Sequence, residues 1–177
     1  MTNFINFITV ARIFLAPIIL IFLIFGNYFA CVLLFFLAGL TDYFDGYLAR
    51  KYNAESQLGE ILDPIADKIL IVFILIGLSV DLDSYLIAFL GSLIIAREIG
   101  VSALRDYSSR NNKSHKTKVT YLAKIKTSVQ LFSIGLYLFA LAFSFNLLLI
   151  IGDIFLIIAT LITLYTGYEY TLNVFKK

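Results

Sequence analysis

Asp42-Tyr43-Phe44-Asp45-Gly46-Tyr47-Leu48-Ala49-Arg50, then eight residues, then Gly59-Glu60-Ile61-Leu62-Asp63-Pro64-Ile65-Ala66-Asp67, forms a charged island between long apolar runs. Charge in so apolar a chain is expensive and needs a reason. On a helix, Asp42, Asp45, Gly46 and Ala49 fall within one arc of about 100°, with Arg50 at its edge. Gly59, Asp63 and Asp67 recur at i, i+4 and i+8, so they stack on one face of the next helix. Two neighbouring helices would then aim four carboxylates into one cavity. Such a cluster repels itself unless a counter-ion is present. Hard oxygen donors in that number point to Mg²⁺ or Mn²⁺, with two ions expected, and the small residues let a ligand approach the backbone.

The 177 residues are 60% hydrophobic and 15% charged, with a mean hydropathy of +0.92. A soluble domain is closer to half apolar. The fold class expected is therefore all-α and polytopic in a membrane, as a single domain over residues 1–177. One cysteine and one histidine leave almost no material for zinc chemistry. Cys31 lies in an apolar run and reads as packing, and His115 lies in a polar basic loop and reads as solvated. The N-terminus lacks a basic leader region, and Arg12 interrupts its apolar stretch, so it is expected to be retained. No nucleic-acid partner is expected.

Six spans follow from the pattern. Residues 2–25 carry Asn6, Thr9 and Arg12 at intervals of three, a polar stripe that suits an interfacial start running into a span kinked at Pro17. A turn at Gly26–Tyr28 leads to the second helix, which ends in the charged island. Residues 51–58 form a polar loop, and the third helix continues to about Val80. The fourth runs from Tyr85 through Arg97 to Arg105. A polar loop over Ser108–Lys118 precedes a fifth helix beginning near Val119. A break within Ser144–Asp153 separates it from a sixth helix ending near Tyr170. Several apolar segments are shorter than the roughly 20 residues of a span, so the charged ends belong near one membrane face in a cavity shielded from lipid. The turns near residues 27, 82 and 148 carry no Lys or Arg. The positive-inside rule then puts both termini and the polar cavity on the cytoplasmic side.

The pattern D-x2-D-G-x2-A-R-x8-G-x3-D-x3-D, filled at every fixed position from Asp42 to Asp67, resembles the signature of the CDP-alcohol phosphatidyltransferases. Asn6, Thr9 and Arg12, with a proline following, are similar to the N-x2-T-x2-R opening of the family's bacterial phosphatidylglycerophosphate synthase branch. For this stripe an interfacial anchor and a face toward the donor nucleotide both stay open. Ile95-Ala96-Arg97-Glu98-Ile99, Ser102-Ala103-Leu104-Arg105 and Lys124-Ile125-Lys126-Thr127-Ser128-Val129-Gln130 resemble the same branch. Ala123 departs from it where a glycine is common, as does Asp106-Tyr107 where a Glu-Trp pair often follows. The last helix is similar in character only.

Arg97 and Arg105, eight apart on one side of a helix, and Lys124 and Lys126, opening the next, make a second constellation. Ordinary flanking charge accounts for Arg110, Lys113, Lys116 and Lys118, but less well for Arg97, which follows Ile94-Ile95-Ala96. A basic pocket for a phosphate or carboxylate is the sharper reading. The resemblance implies a donor, CDP-diacylglycerol, and an acceptor, sn-glycerol 3-phosphate, with CMP released in a bacterial inner membrane. It implies Asp42, Asp45, Asp63 and Asp67 as metal ligands and Asp67 as general base as well. Asp42, Gly46, Ala49, Arg50 and Gly59 would line the nucleotide, and the family suggests a homodimer. Inositol phosphate, serine or phosphatidylglycerol is the alternative acceptor. A cation or proton transporter is the alternative of another class, and it leaves the glycine and arginine spacing unexplained.

Overall fold

The computed structural model describes residues 2–51, 57–110 and 121–175. It leaves out the side chains of 2–6, 43, 45–51, 57, 58, 60, 61, 121, 123 and 124 within them. Among the described residues all regular structure is helical: α1 (Thr2–Ile24), α2 (Tyr28–Lys51), α3 (Gln57–Asp81), α4 (Tyr85–Arg110), α5 (Tyr121–Phe143) and α6 (Asn146–Phe175). Helices are what such apolar runs must form in lipid, where backbone groups have no water to bond. Pro17 and Pro64 lie inside α1 and α3.

Three turns at one end of the bundle use the same chemistry. Gly26, Asp83 and Ser144 adopt positive φ of 68°, 46° and 56°. The residue after each donates its amide to a carbonyl five residues back: Asn27 to Phe22, Ser84 to Ser79, and Phe145 to Ala140. This left-handed helix ending satisfies carbonyls that would otherwise be orphaned. Asn27 and Ser84 then cap the following helices, accepting from the amides of Ala30 and Ile87 at 3.3 Å each.

The helices alternate in direction and pack as a ring, in the order α1, α2, α5, α6, α4, α3 and back to α1, with α3 also touching α5. Thr9 meets Asp63 and Arg12 meets Asp67. Further along the same two helices, a Cβ on Gly77 would stand 2.8 Å from the side chains of Leu20 and Leu23. So α1 and α3 run parallel and close, with α2 returning between their ends. One core joins Ile19 and Leu23 of α1, Ile74 and Leu78 of α3, Ile94 of α4, Tyr137 of α5 and Leu156 of α6. Large apolar side chains such as Phe14, Phe36, Phe89, Phe132 and Leu161 are exposed around the outside.

That exterior and the helix lengths mark a membrane protein. α1, α4, α5 and α6 each contain a segment long and apolar enough to cross a bilayer, and α2 has a shorter one, Tyr28–Asp42. Against the six spans expected, α3 falls short because Asp67 and Lys68 at one end and Asp81 at the other leave only Ile69 to Val80 free of charge. Three boundaries also differ from expectation: the loop expected over 51–58 is shorter, since α2 includes Lys51 and α3 begins at Gln57. Ser108–Arg110 continue α4 rather than opening a loop, and α6 runs past Tyr170 to Phe175. His115 and the basic residues of 111–120 lie outside the described residues.

Candidate active site

Alternation of direction gathers the starts of α1, α3 and α5 and the ends of α2, α4 and α6 at the end of the bundle opposite the three turns. The described polar positions of the aspartate motif, of the stripe on α1 and of the basic set fall there. Arg12 stands at its centre. Its Nη1 donates to Asp42 Oδ1 at 2.6 Å and to Asp67 Oδ1 at 3.2 Å. Arg12 is 1% exposed, while Asp42 and Asp67 are 51% and 36% exposed. The guanidinium is therefore sunk beneath carboxylates that still face open space. Beside it, Thr9 Oγ1 donates to Asp63 Oδ1 at 3.0 Å. Two carboxylates from two helices thus sit over one buried cation and a third is held by Thr9 beside them, with Gly59 buried near the start of α3.

Charge decides what this end can take. Asp42, Asp63 and Asp67 outnumber Arg12, so the cluster still attracts cations. Its donors are the hard oxygens that Mg²⁺ and Mn²⁺ favour, which is the chemical fit for the expected ions. Among the described residues no group of three or more His, Cys, Asp or Glu side chains is placed to hold a metal ion. The side chain of Asp45, the fourth expected ligand, lies outside the described residues, as do those of Asn6, Gly46, Ala49, Arg50 and Lys124.

A cavity of about 690 Å³ opens next to this cluster between α3, α4 and α5. Asp67 lines it, together with Lys68, Arg97, Glu98, Arg105 and Lys126, and isoleucines such as Ile69, Ile94 and Ile95 form its apolar wall. Three of the four basic residues expected to share a pocket do share one, and Asp67 belongs to both clusters.

Glu98 organises the basic group. It accepts from Lys126 and from Arg97 Nη1, the latter at 2.9 Å, and Lys68 stands 3.9 Å from its other oxygen. Lys68 Nζ also donates to Ser102 Oγ at 2.6 Å. Arg97 and Lys126 are both buried, a costly state that the shared carboxylate offsets. Four cations against two carboxylates, Asp67 and Glu98, leave the cavity positive.

Sequence reasoning missed several of these residues. Lys68 follows Asp67 directly but has no part in the sequence argument. Glu98 lies inside a quoted segment yet was assigned no part. Thr166 and Tyr170 of α6 reach the two arginines: Arg97 Nη2 donates to Thr166 Oγ1 at 2.7 Å, and Arg105 Nη2 donates to Tyr170 Oη at 3.1 Å. Nothing in an apolar terminal helix signals that contact. The stripe on α1 was read as an anchor or a nucleotide-facing edge. Its Thr9 and Arg12 bond the aspartates.

Comparison with known proteins gives the family. The model of the family described as CDP-alcohol phosphatidyltransferase matches residues 2–165. A CDP-diacylglycerol--glycerol-3-phosphate 3-phosphatidyltransferase of Rickettsia typhi is 40% identical over 174 residues, covering 96% of each chain. Proteins of the same name are 34% identical in Haemophilus influenzae over 168 residues, 93% of this chain and 89% of that one, and 33% identical in Escherichia coli over 136 residues, 75% of each. With the motif complete and the match spanning most of its length, the chain belongs to the CDP-alcohol phosphatidyltransferase family.

Proposed function

We propose that this protein transfers the phosphatidyl group of CDP-diacylglycerol to sn-glycerol 3-phosphate and releases CMP, a step of phospholipid biosynthesis. The observation that carries the reading is the double position of Asp67. It is bonded to Arg12 within the carboxylate cluster and also lines the basic cavity.

The pyrophosphate of the donor would lie over Asp42, Asp45, Asp63 and Asp67, the residues that would hold divalent cations. Ions bound there would neutralise the pyrophosphate and the charge growing on the departing CMP. Gly46, Ala49, Arg50 and Gly59 border the nucleotide, and the Asn6–Thr9–Arg12 stripe supports the same side. Arg12 keeps Asp42 and Asp67 at a fixed separation, and Thr9 does the same for Asp63, so neither carboxylate set must be ordered when substrate arrives. The acceptor's phosphate rests against Arg97, Arg105, Lys124 and Lys126, a group suited to a dianion. Its free hydroxyl then faces Asp67, which removes the proton as the oxygen attacks the lipid-bearing phosphorus and the bond to CMP breaks.

The same reading places six spans in a bacterial inner membrane, with an interfacial first segment and the charged end in the cytoplasm. The turns at Gly26, Asp83 and Ser144 lack Lys and Arg nearby, which supports that orientation. A homodimer is the assembly we expect. An assay panel of radiolabelled glycerol 3-phosphate, inositol phosphate, serine and phosphatidylglycerol, each with CDP-diacylglycerol and with or without EDTA, tests all of this chemistry. We expect CMP release with glycerol 3-phosphate only, lost on chelation and restored by Mg²⁺ or Mn²⁺. Turnover with serine instead would overturn the acceptor assignment.

A further inference from the structure

The two arginines of the basic cavity belong to α4, yet what holds them belongs to α6. Arg97 passes beside Gly167, where a Cβ would stand 2.9 Å from Arg97 Cγ and 3.1 Å from its Nε. A side chain there would push Arg97 aside, so the glycine permits this close approach. Arg97 then reaches Thr166, whose hydroxyl accepts from Nη2 at 2.7 Å. Thr166 is fully buried, and Tyr170 is 3% exposed. The ring of Tyr170 lies 5.9 Å from the Arg97 guanidinium carbon and 5.3 Å from that of Arg105. Its hydroxyl also accepts from Arg105 at 3.1 Å. One buried ring therefore meets both cations, within the range at which an aromatic face attracts them.

We propose that Thr166, Gly167 and Tyr170 form a brace on α6 that sets the Arg97–Arg105 spacing and thereby determines affinity for a phosphorylated acceptor. The family match ends at residue 165, so these three positions lie just beyond the segment that carries the motif. The brace rests on the proposed assignment of the cavity to the acceptor phosphate. Tyr170 is a positioning residue: it acts on the ligand through the arginines. Long cationic side chains lose rotamer freedom when they bind, and holding them in advance removes part of that cost. Two guanidiniums kept on one ring also resist the mutual repulsion that would splay an unbraced pair.

The test is a steady-state comparison of Tyr170→Phe, Tyr170→Leu and Thr166→Val, with KM measured separately for glycerol 3-phosphate and CDP-diacylglycerol. Tyr170→Leu removes ring and hydroxyl and should raise the acceptor KM by about tenfold, with donor KM changing less than about twofold. Tyr170→Phe keeps the ring over both cations, so its acceptor KM should rise only about threefold. Thr166→Val should behave like Tyr170→Phe. An unchanged acceptor KM in folded Tyr170→Leu would overturn the brace, and so would equal rises in both KM values, the mark of a merely structural role. If Tyr170→Leu does not fold, Tyr170→Phe and Thr166→Val decide by the same split. Wild-type protein that ignores glycerol 3-phosphate defeats the acceptor assignment instead. The KM comparison is then read with whichever acceptor of the panel supports CMP release, and the same two outcomes support or overturn the brace.

Discussion

The two halves of the charged end are built as opposites. On the acidic side one buried cation, Arg12, is covered by carboxylates that remain partly exposed. On the basic side one carboxylate, Glu98, is held among cations, two of them buried. Neither half is neutral: carboxylates are in excess on one side and cations on the other. The halves also differ in origin. The carboxylates come from one short stretch spanning a single helix connection. The basic side draws Lys68 from α3, Arg97 and Arg105 from α4 and Lys126 from α5, with braces from α6.

The comparison is broken most severely at the residue both halves share. Asp67→Asn keeps the shape and a hydrogen-bond partner for Arg12 but removes the base, so kcat should fall by about 10² to 10⁴. The check is CMP release by purified protein in detergent, with circular dichroism confirming a folded chain. Full CMP release by that variant would sink the general-base role.

Next in size is Arg12→Gln. It deletes the cation beneath Asp42 and Asp67 and leaves their charges facing one another. A charge-assisted bond is worth about 2 kcal/mol, so the loss should appear as a lowered thermal midpoint. Mg²⁺ should restore much of it by supplying the missing positive charge. A midpoint insensitive to Mg²⁺ in this variant would separate the aspartates from any cation site.

The basic half is more redundant, with four cations sharing the load, so single losses there should cost less. Arg105→Ala should raise the acceptor KM about tenfold, equivalent to ~1.4 kcal/mol, and spare the donor KM. An unchanged acceptor KM would remove the main support for a phosphate pocket. The smallest effect is expected away from both halves. Tyr137 Oη donates to Asp153 Oδ1 at 2.6 Å between α5 and α6, with Gly152 packed on the ring. Tyr137→Phe should cost about 1 kcal/mol of stability, as interhelical hydrogen bonds in membranes do, with both KM values unmoved. A shift in either KM would show that the two ends of the bundle communicate.

These differences explain how much of the site could be read in advance. The aspartates were legible because i, i+3, i+4 and i+8 spacings convert directly into helix faces, and because acidic groups inside apolar runs demand an explanation. Arg97 and Arg105 were legible for the same reason. Their partners were not. Lys68 is a single charge beside Asp67, and Thr166, Gly167 and Tyr170 look like any stretch of an apolar helix, since nothing in their local pattern says which neighbour they touch. Thr9 and Arg12 were noticed as a stripe, but only packing against α3 shows that the stripe meets carboxylates. The extension of α4 through Ser108 also escaped notice, because polar residues at the end of an apolar run signal a loop and a helix equally well.

By itself, the sequence determined the helical class, the membrane setting, the family motif and the list of charged residues available for chemistry. All of these depend on composition and on contacts within a few turns of one helix, where period and spacing are enough. Only the tertiary structure decided that α1 runs parallel to α3 and buries Arg12 under the aspartates, that Glu98 gathers the cations, and that α6 braces the arginines. Those outcomes depend on the order in which six helices close into a ring. That order is set by the fit of distant surfaces, such as Gly77 against Leu20 and Leu23 or Gly167 against Arg97, and no local spacing encodes it.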